Sequence, residues 1–250
     1  MLVREGVNPR HGSLLTIAVT LQFCMLACIL VACGPRSIET SHAPDALLAT
    51  AVENMLDTSG MEFLLEKHSA YDSGQARGTM RGSDFEIGLE RFIAAERGET
   101  SRLRVVDEEA YAQLSDGSTW VHFGTIGTQE LAALQLYSPQ AYIALLKDRT
   151  GVADHGLETT GGVECRQLQL DIPEGDYRAI VVAGDRSDAP GRWVVVNVWI
   201  GTRDSLIHRL QFTMADENPA VWVYEFSDFG TDVTIEVPES AIEASSDGVH

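Results

Sequence analysis

The sequence predicts an α+β fold: one large curved antiparallel sheet, shaped as a half-barrel, with helices packed on its concave face. Three observations predict it. Strand-like runs follow one another with Asp, Ser and Gly clusters between them, which makes a meander rather than a strand–helix alternation. Helical periodicity is confined to the stretch after residue 45 and to residues 128–148. The clearest strands alternate between an apolar and a polar face, so the sheet needs cover on one side.

The elements follow in order. Asp45 can cap a first helix, whose stripe is Leu48, Val52 and Met55 or Leu56, and Gly60 is a stop signal. The runs "MEFLLEKH", "ARGTMRG", "DFEIGLERFIAA", "SRLRVVD", "AYAQLS" and "STWVHFG" read as strands, with "SDGS" as a tight turn before the last. Residues 128–148 read as two short helices broken at Ser138-Pro139, with Leu131, Leu134 and Leu136 on one apolar face and Tyr142, Leu145 and Leu146 on the next. Strands resume with "GVECRQLQLDI", "WVVVNVWIG", "SLIHRLQFTM", "AVWVYEFSDF" and "TDVTIEVP", and "GDRSDAPG" is a hairpin loop. Leu206, Leu210 and Phe212 share a face with His208. Trp222, Tyr224 and Phe226 form a second stripe, and Val233, Ile235 and Val237 a third. The near-continuous apolar run at 193–200 reads as a strand covered on both faces.

The chain has 250 residues and a net charge of −19. Its first 32 residues hold Arg4 and Arg10 against Glu5, so the acidity belongs to the remainder. A body this acidic is the wrong partner for nucleic acid, and its surface is not one that adheres to anionic headgroups.

Arg4, Arg10 and His11 precede an uncharged run from Ser13 to Ala32, whose 20 residues would span roughly 30 Å as a helix. A basic start, an apolar run and a small residue at its end describe an export signal; an uncleaved signal anchor is the other reading. The run ends Leu30-Val31-Ala32-Cys33, which resembles the bacterial lipoprotein signal. By that resemblance residues 1–32 are removed and Cys33 carries acyl chains, each buried CH₂ contributing roughly 0.8 kcal/mol of anchoring. Met25-Leu26-Ala27-Cys28 is a poorer match to the same pattern. Residues 33–44, polar with prolines near both ends, are a tether. The domain then covers 45–240, and 241–250 form a flexible tail. Removal of the signal leaves Cys33 and Cys165, so no internal disulfide is expected, and Cys165 in its strand-like setting reads as a buried structural thiol.

The sequence contains no nucleophile elbow, P-loop, dinucleotide fingerprint or zinc-protease motif. The histidines of the mature chain stand singly, so neither a metal nor a cofactor is expected, and the reading is of a protein without catalytic function.

Four stretches resemble the LppX/LprG type of bacterial lipoprotein, related in fold to the LolA-like lipoprotein carriers. They are "MEFLLEKH" after the opening helix; "SPQAYIALLKDRTGVADHGLETTGGVECRQLQLDI"; "VNVWIGTRDSLIHRLQF"; and "YEFSDFGTDVTIEVPES". The resemblance implies a half-barrel enclosing an apolar cavity for acyl chains of a lipid or lipoprotein. Leu131, Leu134, Trp199, Phe212 and Trp222 are the candidate lining residues. It also implies residence at the extracytoplasmic face of the cell membrane. A non-catalytic envelope sensor that contacts a membrane protein is the alternative.

We expect Cys33→Ala to abolish both lipidation and signal cleavage. Radiolabelled palmitate incorporation and the mass of the mature chain check this, and normal processing of the variant would refute the assignment.

Overall fold

The computed structural model describes residues 43–69, 73–89, 102–113, 119–125, 137–181, 193–214 and 220–244. The signal, Cys33, most of the tether, the 115–118 turn, the first central helix with Leu131 and Leu134, and the 184–191 loop all lie outside them.

Helix α1 (Pro44–Leu56) opens the domain. Pro44 fits its first turn because a missing N–H costs nothing there. Leu48, Val52 and Met55 are buried on one stripe, as the 3.6 period requires. Asp45 is not the cap. It lies in the first turn, and its carboxylate accepts the backbone N–H of Val152 at 2.9 Å. Gly60 does not end the helix, which stops at Leu56. A Cβ at Gly60 would stand 2.5 Å from the carbonyl oxygen of Thr231, so glycine there permits close approach of two segments.

Six strands follow: β1 (Met61–His68), β2 (Ser73–Arg81), β3 (Asp84–Leu89), β4 (Arg102–Val106), β5 (Glu109–Gln113) and β6 (Trp120–Thr125). Helix α2 (Pro139–Leu145) precedes β7 (Ala153–Thr160) and β8 (Val163–Pro173). Then come helix α3 (Glu174–Val181), β9 (Trp193–Gly201), β10 (Ile207–Met214), β11 (Val221–Ser227) and β12 (Ala241–Glu243). All twelve strands lie in one sheet, ordered β12-β6-β5-β4-β3-β2-β1-β11-β10-β9-β8-β7. Every pairing is antiparallel except β12 with β6. The expected single curved antiparallel sheet with helices on one face is the architecture observed.

One face of the sheet is apolar from β3 to β8. A row of directly opposed residues runs Leu89, Ala76, Leu65, Tyr224, Leu210, Val198 and Leu168 over seven strands. None of the seven is more than 8% exposed. The helices lie on this face: α1 packs against β10 and α2, and α3 against α2, β8 and β9.

Several expectations need correction. Residues 231–238 alternate in sequence but form no strand; Val237 is 51% exposed, and the segment runs beside Gly60 without a ladder. Strand β7 and helix α3 were not expected. β7 is exposed along most of its length as an edge strand, so it carries no hydrophobic alternation. Part of the expected tail, Ala241–Glu243, instead pairs in parallel with β6. There the His122 ring sits between Glu109 (Nε2 to Oε2, 2.8 Å) and Glu243 (Nδ1 to Oε1, 3.1 Å). Glu243 and Glu109 draw the His122 pKa above the usual histidine range. Strand β9 is not covered on both faces throughout: Val194, Val196 and Val198 are buried, while Val195 and Asn197 are half-buried.

His208 does not share the face of Leu210 and Phe212. The β9–β10 register shifts between Ile207 and Arg209. That bulge lets Ile207 and Leu210, three residues apart, both enter the core and turns His208 out of it. Its Nε2 lies 3.0 Å from Asp204 Oδ2, and its ring meets Phe229 edge-on at 5.1 Å.

Two expectations follow from packing. A Cβ at Gly78 would stand 2.5 Å from Phe63 Cζ and also strike the Glu86 carbonyl oxygen, whereas one at Gly88 would meet only the Arg77 carbonyl oxygen, at 3.8 Å. Urea unfolding should therefore show Gly78→Ala less stable by about 1–3 kcal/mol and Gly88→Ala within about 0.5 kcal/mol of wild type. Cys165 is fully buried, and burial pushes its thiol up to about 11. A maleimide should label it roughly a hundredfold more slowly in the folded protein than in denaturant; equal rates would show the thiol to be accessible.

Candidate functional site

The helix-bearing face is built around aromatic rings. Phe212 on β10 and Tyr224 on β11 project from the sheet, and Tyr142 on α2 and Tyr177 on α3 descend onto them. Tyr142 lies 5.1 Å from Phe212 and 5.2 Å from Tyr224, centroid to centroid, and Tyr177 lies 5.6 Å from Phe212. All four are fully buried. Tilted rings at these spacings gain from edge-to-face contact as well as area.

Two phenols in this cluster carry unusual polarity. The hydroxyls of Tyr142 and Tyr177 are buried and cluster with that of Tyr224, and neither finds a partner at full hydrogen-bond geometry among the described residues. Burial raises both phenol pKa values well above the ordinary tyrosine range, so both remain neutral donors. A buried hydroxyl without an acceptor is costly, by roughly 1–3 kcal/mol.

The structure divides the expected lining residues. Phe212 and Trp222 are on the helix-bearing face, Trp222 with the Lys67 ammonium 5.5 Å from its ring centre. Trp199 points the other way: it stands opposite Arg209, while its neighbour Val198 stands opposite Leu210 in the core row. Its indole N–H donates to Glu158 at 2.7 Å, and the Arg209 guanidinium covers its ring at 5.0 Å. An indole on a strand looks the same in sequence on either face; only the register tells them apart. Tyr177 escaped sequence reading because α3 is short and offers one buried ring.

A cavity of about 690 Å³ lies on the opposite face. Its lining is mostly outward residues of β1–β4 and β11, such as Leu64, Arg77 and Arg102, together with His208, Phe229 and the β7–β8 turn. Gly161 and Gly162 make that turn with φ of 57° and 82°, which glycine adopts without strain. No group of three His, Cys, Asp or Glu side chains among the described residues is placed to hold a metal ion.

No protein-family model matches the sequence, and no curated protein matches it significantly. Solved structures do match the fold. LprF from Mycobacterium bovis is 13% identical with a TM-score of 0.54, over 78% of this chain and 96% of that one. The lipoprotein LppX from Mycobacterium tuberculosis is 13% identical with a TM-score of 0.53, over 78% of this chain and 98% of that one. The protein therefore has the LppX-like fold anticipated from its sequence, an open half-barrel sheet with helices on one face.

Proposed function

We propose that this protein is an exported lipoprotein, anchored through Cys33 at the extracytoplasmic face of the cell membrane, that holds an acyl chain or lipid between its helices and its sheet. One observation carries the reading. The apolar face runs unbroken from Leu89 on β3 to Leu168 on β8, while the main sheet contacts of α1 and α3 fall on β8, β9 and β10. None of that row is more than 8% exposed, so an acyl chain enters by displacing what covers β1–β3 and keeps the same surface from water. Phe212 and Trp222 are the lining residues on that face, and the phenols of Tyr142 and Tyr177 are donors for ester or carboxyl oxygens of the ligand. The fold shared with a protein described as a lipoprotein supports this, as does the signal-like end at Cys33.

Mass spectrometry under native conditions tests it directly. Protein purified from its membrane is expected to carry a stoichiometric lipid besides the one attached to Cys33, released on unfolding. A chain that stays empty while a specific membrane protein co-purifies would instead make this an envelope sensor.

A further inference from the structure

The cavity on the helix-free face is distinct from the lipid site proposed above, and its chemistry is different. Arg77 on β2 and Arg102 on β4 are each directly opposite Gly88 on β3. Adjacent strands lie about 4.8 Å apart, so the two Cα atoms are roughly 10 Å apart with a residue lacking a side chain between them. Both side chains rise on the same side of the sheet over an open floor, where even a Cβ at Gly88 would touch only the Arg77 carbonyl.

The guanidiniums are available. Arg77 is exposed and has no ion pair among the described residues. Arg102 reaches only Glu86, at 3.4 Å with its side chain 56% exposed. Glu86 is engaged more closely by Arg104, at 2.8 Å. The wall beside this pair is apolar at Leu64 and Phe229, and the acids Glu62, Glu225 and Asp228 stand in the same cavity on β1, on β11 and after β11.

We propose that this groove is a second binding site, for an amphiphile with one anionic group, a phosphate monoester or a carboxylate. The anion sits over Gly88 between Arg77 and Arg102, and the apolar body lies along Leu64 and Phe229. Two planar guanidiniums flanking one bare position offer paired donors to the oxygens of a carboxylate or phosphate. Glu62 and Asp228 disfavour a second negative charge farther along the ligand. The anionic head can belong to a soluble amphiphile or to a lipid still in a bilayer, and the chemistry is the same for both.

Calorimetric titration of the full chain with decyl phosphate, decanoate, inorganic phosphate and phosphatidylglycerol vesicles decides among these. Decyl phosphate or decanoate binding, weakened about tenfold by Arg77→Gln and more by Arg77→Gln with Arg102→Gln, supports the site. Gly88→Leu should block it by filling the floor. Trp222→Leu, which alters the opposite face, should leave it unchanged, so failure of the lipid site and failure of this one are separable. Vesicle binding with the same arginine dependence, and none by the soluble amphiphiles, assigns the head to the bilayer. Equal binding by the double variant overturns the proposal, as does inorganic phosphate binding as tightly as decyl phosphate, or no binding of any probe. Urea midpoints of the variants confirm that each is folded.

Discussion

A twelve-stranded sheet with one continuous apolar face must have that face covered, and the rest of the molecule answers to this constraint. Strand alternation puts Leu89, Ala76, Leu65, Tyr224, Leu210, Val198 and Leu168 in one row, and a one-residue slip anywhere would turn part of that row to solvent. The bulge at Ile207–Arg209 is the clearest case of the constraint at work. Chain direction after the 202–206 turn would place Ile207 and Leu210 on opposite faces. One extra residue restores both to the core, and the displaced His208 becomes part of the outer cavity. A core requirement thus delivers a polar side chain to the other face.

The same sheet has two edges, which are handled differently. β7 is a long edge but carries Asp154, His155 and Glu158 on an exposed strand, with Asp154 paired to Arg166 at 2.8 Å. Charges along an edge discourage pairing with another chain. At the other end three residues, Ala241–Glu243, cover β6 in parallel, and His122 bridges Glu109 and Glu243 across β5, β6 and β12. Tyr111 stacks on the same ring at 4.9 Å. So short a strand buries little surface, and its side-chain contacts matter correspondingly more.

What the sequence made legible follows from these same causes. β1, β10 and β11 were readable because burial on one face imposes period two on the residues themselves. β7 was not, because an edge strand with little to bury imposes no pattern. Residues 231–238 show the converse: alternation records which side chains face solvent, and an extended segment can alternate without a hydrogen-bonded partner. Trp199 was legible as a large ring on a strand, but its face depends on a register that only pairing with Arg209 sets. Arg77, Gly88 and Arg102 lie 11 and 14 residues apart along the chain. Nothing local marks them as a group; three strands pairing in order bring them together.

The acidity of the body bears on how such a group could act. A net charge of −19 produces a field that opposes approach of any anion from a distance. Physiological salt screens that field beyond about 8 Å, while the guanidiniums act at contact, where screening is weak. Steering therefore contributes nothing favourable to binding an anionic head, and discrimination has to come from the contact geometry. Arg104 strengthens that geometry indirectly. Arg104, lying 4.7 Å over the Trp120 ring, takes Glu86 Oε2 at 2.8 Å and leaves Arg102 only a longer contact, 3.4 Å, to Oε1. Within an acidic surface, a cation is kept available by giving its nearest carboxylate a better partner.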